Sequence, residues 1–170
     1  ALAKKLKKYK VIGNLPFYIT APIMTKLIEA RPRFSVAVLT TQKEVAERLT
    51  AKPGSKQYGT LSIFVQYGLL VVIDSLIPNS AFYPHPAVSS AVVVLKPRVK
   101  PIVEVNSEEM FFNVVHAAFA YRRKTLRNSI LLSKKIDIDK YFSIDLDQRK
   151  IIEKFNFDIF DQLSNIFTDS

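Results

Sequence analysis

Four consecutive residues, Asn14-Leu15-Pro16-Phe17, hold the side chains best suited to chemistry in this 170-residue chain. A carboxamide can accept a hydrogen bond from an exocyclic amine, and a proline stiffens the turn that presents it. Phe17 and Tyr18 offer a face on which a base taken out of its helix can stack. The same tetrapeptide also reads as a plain turn, because Asn and Pro are ordinary turn residues. A second cluster, Arg122-Arg123-Lys124-x-x-Arg127, has i, i+4 and i, i+5 spacings that would gather cations on one side of a helix, where they reach phosphates as multidentate donors. With no acid between Ala117 and Lys135, RNA contact is preferred over a solvated helix face. Other chemistries find little support. The chain has no cysteine, hence no disulfide framework, thiolate zinc site or cysteine nucleophile. Of the two histidines, His85 reads as a loop residue and His116 as a core or interface residue on an apolar helix face, and no metal site is expected. The glycines, Gly13, Gly54, Gly59 and Gly68, fit neither G-x-G-x-x-G nor G-x-x-x-x-G-K-S/T, so the chain carries no phosphate-cradling loop of those kinds.

These residues need elements to position them. Residues 10–13 read as a short buried strand that stops at Gly13-Asn14. That puts the tetrapeptide at the carboxyl end of a strand, the edge where ligands bind in open α/β sheets. A helix should follow, N-capped by Thr20 with Pro22 in its first turn. Ile23, Met24, Leu27 and Ile28 share one of its faces until Arg31-Pro32 ends it. Residues 34–39 are β-rich and apolar on both faces, the pattern of a central parallel strand. Residues 42–49 form a second helix with Val45, Ala46 and Leu49 on its buried face. Strand, helix, strand, helix is the doubly wound pattern. A polar loop spans 51–59, and apolar character resumes over 61–67. Two β-branched runs, 69–76 and 91–95, flank the Pro-rich stretch 77–86 and predict an antiparallel pair closing the sheet. Residues 97–101 read as a linker. From Ser107, an N-cap with Glu108 and Glu109 in the first turn, Met110, Phe111, Val114, Val115, Ala118 and Phe119 make a helical stripe. The expected division is a sheet domain over 1–98 and a small helical domain over 99–170, with later helices over 140–144 and 148–167.

The net charge is +10, from 25 basic and 15 acidic residues, and it is blocky. Residues 1–60 carry 12 basic and 3 acidic side chains, residues 61–120 carry 3 and 4, residues 121–135 carry 6 and 0, and residues 136–170 carry 4 and 8. Two basic segments separated by a near-neutral one suit a polyanion laid across a folded surface. A solvated face that aids solubility is the alternative. Hydrophobic residues at 48% and charged residues at 24% exclude a disordered or fibrous chain. No apolar run approaches the roughly 20 residues a bilayer needs. Ala1 is no initiator, and the lysines from Lys4 to Lys10 lead into a stretch broken by Asn14 and Pro16, so no secretory signal forms. The start is read as internal to a larger protein.

The tetrapeptide resembles the motif with which N6-adenine methyltransferases grip their target amine: Asn, Asp or Ser, an aliphatic residue or Pro, then Pro, then Tyr or Phe. The resemblance runs on through Gln42-Lys43-Glu44-Val45-Ala46-x-Arg48-Leu49, then Pro53-x-Ser55-Lys56-x-Tyr58-Gly59-x-Leu61-Ser62. Next come Ser80-Ala81-Phe82-x-Pro84-x-Pro86-x-Val88-x-Ser90-Ala91-Val92-Val93-x-Leu95 and Ala118-Phe119-x-x-Arg122-Arg123-Lys124-Thr125-x-Arg127-Asn128-Ser129. In this order, across residues 11–130, the chain is similar to the KsgA-type rRNA adenine N6,N6-dimethyltransferases. The resemblance implies an α/β fold, the C-terminal half of a Rossmann-like S-adenosylmethionine-dependent methyltransferase sheet, followed by a small α-helical domain that binds rRNA. It implies S-adenosylmethionine as methyl donor and two adjacent adenosines in the 3′-terminal hairpin loop of small-subunit rRNA as target. The partner would be the immature small ribosomal subunit, met in the cytoplasm by a protein without membrane attachment, most simply a monomer. Residue by residue, it implies that the Asn14 side-chain oxygen and the Leu15 carbonyl take the two amine hydrogens, with Asn14 also facing the donor. Pro16 fixes the turn, Phe17 and Phe82 stack on either side of the base, and Arg122, Arg123, Lys124 and Arg127 contact RNA.

The chain also departs from the pattern. Phe17 stands where the family usually has Tyr, which keeps the stacking surface and loses a hydroxyl. His85 replaces a proline, and Ala87 a lysine, of many relatives. The acidic-Gly-x-Gly-x-Gly donor loop and the ribose-binding acid do not occur and are expected upstream of Ala1. Residues 1–170 alone are therefore expected to bind S-adenosylmethionine too weakly for calorimetry and to aggregate along the strand at 10–13. Two alternatives stay open. One is the antibiotic-resistance relative that methylates an adenosine of large-subunit rRNA, whose loop after Arg48-Leu49 is shorter. The other is a noncatalytic nucleic-acid-binding descendant of the fold, such as mitochondrial transcription factor B or an assembly factor. Gln42, Lys43 and Arg48 read as either structural or site-supporting.

Overall fold

Apolar, β-branched runs become the strands of a four-stranded sheet: β1 (Tyr9–Asn14), β2 (Phe34–Gln42), β3 (Leu69–Ile77) and β4 (Ser90–Pro97), in the order β1-β2-β4-β3. The structure, a computed structural model, describes residues 8–16, 19–121, 124 and 126–133. Phe17, Tyr18, Arg122, Arg123 and the segments 140–144 and 148–167 lie outside the described residues. β1 runs parallel to β2 and is joined to it through α1 (Thr20–Glu29), whereas β4 is antiparallel to both β2 and β3. The strand expected at 34–39 is thus interior, but only one of its neighbours is parallel. The antiparallel pair forms as expected, with its second strand inserted beside β2.

One face of this sheet is dry. The cross-strand pairs Ala37–Leu95, Leu39–Val93 and Thr41–Ala91 are all buried, and each large apolar side chain so removed from water contributes about 1.5–3 kcal/mol. The helix α2 (Lys43–Thr50) packs on β2, β3 and β4 and buries Ala46 and Leu49. Val36, Val38, Val92 and Val94, which alternate onto the other face, are only half-buried. The two-faced apolar character of β2 is real, yet its burial is one-sided.

α1 starts differently from the sequence expectation. Its N-cap is Ile19, which offers no side-chain bond. Thr20 is instead the first helical residue, with a buried hydroxyl that finds no hydrogen-bond partner among the described residues. The reason is local: the Ile19 N–H already donates to the Pro16 carbonyl at 3.3 Å, so a tight turn begins one residue before Thr20. Met24, Leu27 and Ile28 are buried as their spacing requires.

Compactness divides the chain into Ala1–Thr50 with Gly68–Pro101, and Ala51–Tyr67 with Ile102–Ser170. Residues 51–67 therefore belong with the helices, a discontinuous division where the sequence suggests a single cut near 98. The apolar stretch at 61–67 is a helix, α3 (Thr60–Gly68), and with α4 (Glu108–Phe119) and α5 (Leu126–Ser133) it builds the second unit. Ser107 caps α4 as expected, its Oγ accepting from the Met110 N–H at 3.2 Å, with Glu108 and Glu109 in the first turn. The core of this unit is aromatic. Tyr67 packs 5.0 Å from Phe111 and 5.3 Å from Phe112, and Tyr58 meets Phe119 edge-on at 6.2 Å. Burial pushes the Tyr58 phenol up to about 12, because the charged form is disfavoured away from water. His116 is exposed rather than part of the core, since a residue two positions from both Val114 and Ala118 faces away from their stripe. No helix among the described residues is long and apolar enough to cross a membrane.

Candidate active site

The strand ends define a single edge of the sheet. Asn14 at the end of β1 lies opposite Thr40, Gln42 at the end of β2 pairs with Ser90, and Ser90 also pairs with Ile77 at the end of β3. The chain leaving β1 and the chain joining β3 to β4 consequently emerge at the same end of the sheet, with the end of β2 between them. Between them lies a cleft of about 420 Å³, lined by Asn14, Leu15 and Pro16 on one side and by Phe82, Tyr83, Pro84, Pro86 and Ser90 on the other. That volume is within the range of small-molecule sites, roughly 300–1,000 Å³.

Backbone bonds hold both walls. The Leu15 N–H donates to the Thr40 carbonyl at 2.8 Å, extending the β1–β2 ladder one residue beyond the strand while the Leu15 side chain stays buried. Asn14 and Pro16 are exposed. The Asn14 carboxamide and the Leu15 carbonyl accept no hydrogen bond from a described residue. Across the cleft, a 3₁₀ turn at Asn79–Ala81 follows Pro78, with the Ala81 N–H bonded to the Pro78 carbonyl at 3.0 Å and the Phe82 N–H to that of Asn79 at 3.2 Å. The Tyr83–Pro84 peptide is cis. At the far end of this loop the Ser89 carbonyl accepts from the Lys43 N–H at 3.0 Å, tying the loop to the first residue of α2.

Chemically, the cleft is lined by two residues whose oxygens accept no hydrogen bond from a described residue, Asn14 and Leu15, together with mainly apolar side chains, and none of its lining residues is charged. Such a site suits a flat ring bearing an exocyclic amine: the walls take the ring faces and the acceptors take the amine hydrogens. A cationic donor would meet no like charge there. Asn14, Leu15, Pro16 and Phe82, distant in sequence, are brought together; Phe17, the other stacking candidate, lies outside the described residues. Sequence reasoning does not reach Tyr83, whose sole signal is its place between Phe82 and Pro84. His85 and Ala87 are exposed in the same loop and do not line the cleft. Among the described residues no group of His, Asp and Glu side chains could hold a metal ion.

The described residues of the basic cluster, Lys124 and Arg127, do not lie on one continuous helix. α4 ends at Phe119 and α5 begins at Leu126, and exposed Lys124 sits in a bend between them with its N–H bonded to the Tyr121 carbonyl at 2.8 Å. Ser129 explains the interruption. Its buried hydroxyl donates to the Ala117 carbonyl at 2.8 Å and accepts from the Tyr121 N–H at 3.1 Å, so it takes up backbone groups that a continuing helix would pair internally. Arg127 lies in α5, and Arg122 and Arg123 lie outside the described residues.

A parallel β–α–β unit closed by antiparallel strands, with its cleft outside the carboxyl ends of the parallel pair, places the chain among the Rossmann-like methyltransferase folds. Within that class the chain belongs to the ribosomal RNA adenine dimethylase family, whose model matches residues 2–169. It is 46% identical over 134 residues to the ribosomal RNA small subunit methyltransferase A of Halothermothrix orenii, covering 79% of this chain and 44% of the relative. To the protein of the same name in Pelotomaculum thermopropionicum it is 49% identical over 127 residues, covering 75% and 43%. To that of Shouchella clausii it is 50% identical over 121 residues, covering 71% and 41%. The chain thus spans less than half the length of these relatives. Among solved structures, a dimethyladenosine transferase from Plasmodium falciparum is similar with a TM-score of 0.65 and 27% identity, over 96% of this chain and 63% of that one. The 23S rRNA methyltransferase ErmE also gives 0.65, at 20% identity over 95% and 66%, a likeness of fold alone.

Proposed function

We propose that the protein carrying this chain transfers methyl groups from S-adenosylmethionine to the N6 amines of two adjacent adenosines in the 3′-terminal hairpin loop of small-subunit rRNA. It would act on the immature small ribosomal subunit in the cytoplasm. The observation that carries this reading is that Asn14, Leu15 and Pro16 face Phe82 across one cleft whose lining residues carry no charge, the Asn14 amide oxygen and the Leu15 carbonyl accepting no hydrogen bond from a described residue. Membership of the ribosomal RNA adenine dimethylase family and the names of the relatives support an rRNA adenine as the substrate.

The adenine amine is a weak nucleophile because its lone pair is delocalised into the ring. In the first transfer Asn14 and Leu15 accept both amine hydrogens, and in the second one of them accepts the hydrogen that remains. Each transfer releases one proton to water and the neutral thioether of the spent donor. In both, the nitrogen is drawn toward a pyramidal geometry with its lone pair out of the ring plane. This is catalysis by orientation and preorganised dipoles, with no covalent enzyme intermediate. S-adenosylmethionine, when bound, supplies an electrophilic methyl group on a sulfonium cation, which the uncharged lining near Asn14 fits. Pro16 limits the freedom of the turn, and Phe82 covers one face of the base, with Phe17 on the other. In this scheme the sheet unit does the chemistry and the helical unit holds rRNA through Arg122, Arg123, Lys124 and Arg127.

The test is label transfer by the full-length gene product from radiolabelled S-adenosylmethionine to small subunits whose terminal hairpin is unmethylated. Label is expected in the 3′-terminal fragment. Label in large-subunit rRNA instead, or RNA binding without transfer, would replace this reading with one of the two alternatives. The basic cluster has its own test. Replacing Arg122, Arg123 and Arg127 together by Gln should weaken RNA binding and flatten its log–log salt dependence by about 0.7–0.9 per lost phosphate contact. A folded variant with an unchanged slope would make the three arginines a solvated surface.

A further inference from the structure

Tyr83 is 97% exposed, although it lies beside half-buried Phe82 in the loop that walls the cleft. A side chain so exposed adds almost nothing to the stability of the fold; what sets Tyr83 apart from the other exposed apolar residues is that it lines the cleft. The loop beneath it is held at both ends, by the Pro78–Ala81 turn and by the Ser89–Lys43 bond, and contains Pro84 and Pro86. Little conformational freedom is therefore lost when something docks on the ring.

We infer that Tyr83 is a positioning residue whose ring stacks on the nucleobase flanking the target adenosine. The inference rests on the function proposed above. Extracting a base into the cleft takes it out of the RNA stack and leaves its neighbour with one bare face. Because Tyr83 lines the same cleft as Asn14, that neighbour arrives beside the phenol ring, which replaces the lost stacking partner. A nucleobase is preferred over other apolar occupants because the chain belongs to the ribosomal RNA adenine dimethylase family and aromatic stacking accepts any base.

The experiment uses the full-length gene product with rRNA hairpins carrying 2-aminopurine on one or the other side of the target adenosines. Stacking predicts fluorescence quenching at one flanking position by the parent and by Tyr83→Phe. With Tyr83→Ala the quenching should disappear and KM for RNA rise about tenfold, on the scale of one lost base–aromatic stack. S-adenosylmethionine affinity should hold, because the contact removed is one to RNA, and the loss should fall on KM for RNA more than on kcat. Tyr83→Ala should melt with the parent, in keeping with its exposure; a large drop in melting temperature would make Tyr83 a packing residue and overturn the proposal. So would methylation by Tyr83→Ala with parental KM and quenching, or a change confined to S-adenosylmethionine affinity. Failure of the parent itself to methylate RNA would overturn the underlying function, and the Tyr83 assignment with it.

Discussion

Replacing Asn14 by Ala in the full-length gene product is expected to lower kcat by about a hundredfold or more, the scale of losing one positioned transition-state partner, while RNA affinity changes little. Among the described residues the amide makes no hydrogen bond that would confuse the result. It is exposed at the end of β1 and takes no hydrogen bond from a described residue, and the Leu15–Thr40 backbone bond that shapes the turn survives a side-chain change. The variant should therefore melt at the parent's temperature. Its defect belongs in single-turnover methylation under saturating RNA, with affinity measured separately by filter binding. Parental turnover in the folded variant would remove Asn14 from the mechanism.

The second large effect concerns stability. Phe111 is fully buried and packs against Tyr67 at 5.0 Å and Phe112 at 5.3 Å, at the centre of the unit that carries the basic cluster. Truncating such a side chain removes its transfer free energy and leaves a cavity, together about 3–5 kcal/mol. A domain holds only about 5–15 kcal/mol in all. Phe111→Ala should accordingly shift the denaturation midpoint strongly and weaken RNA binding as a consequence of unfolding. Chemical denaturation followed by far-ultraviolet circular dichroism measures this; a loss below about 1 kcal/mol would mean that the aromatic cluster does not carry the unit.

The readable parts of this molecule share a physical cause. β2 and α4 announce themselves because their apolar residues recur at the period of the element, and Ser107 because an N-cap is a local, short-range bond. Asn14 could be placed at a strand end for the same reason: a strand signal stops at Gly13-Asn14, and a turn residue follows. α3 was not legible as a helix because Ile63, Val65 and Tyr67 are all buried, so its apolar residues alternate like those of a strand. The insertion of β4 between β2 and β3 depends on long-range pairing that no local pattern encodes. The break between α4 and α5 is hidden in a related way: the Ser129 hydroxyl, bonded 12 residues back to Ala117, takes up backbone groups that a continuing helix would pair. Tyr83 carries no local signal of its place in the cleft, which becomes visible only once the β3–β4 loop and the end of β1 are brought to the same end of the sheet.

Nucleoside analysis of the product probes the role of the cleft most directly. After reaction with unmethylated small subunits, rRNA digested to nucleosides and resolved by mass spectrometry is expected to contain N6,N6-dimethyladenosine from two adjacent hairpin positions, and to lose it when Asn14 is replaced by Ala. Methyl groups on a ring nitrogen or on a ribose oxygen, or dimethyladenosine formed equally well without the Asn14 amide, would contradict the assignment of this cleft as the place where an adenine amine is oriented for transfer.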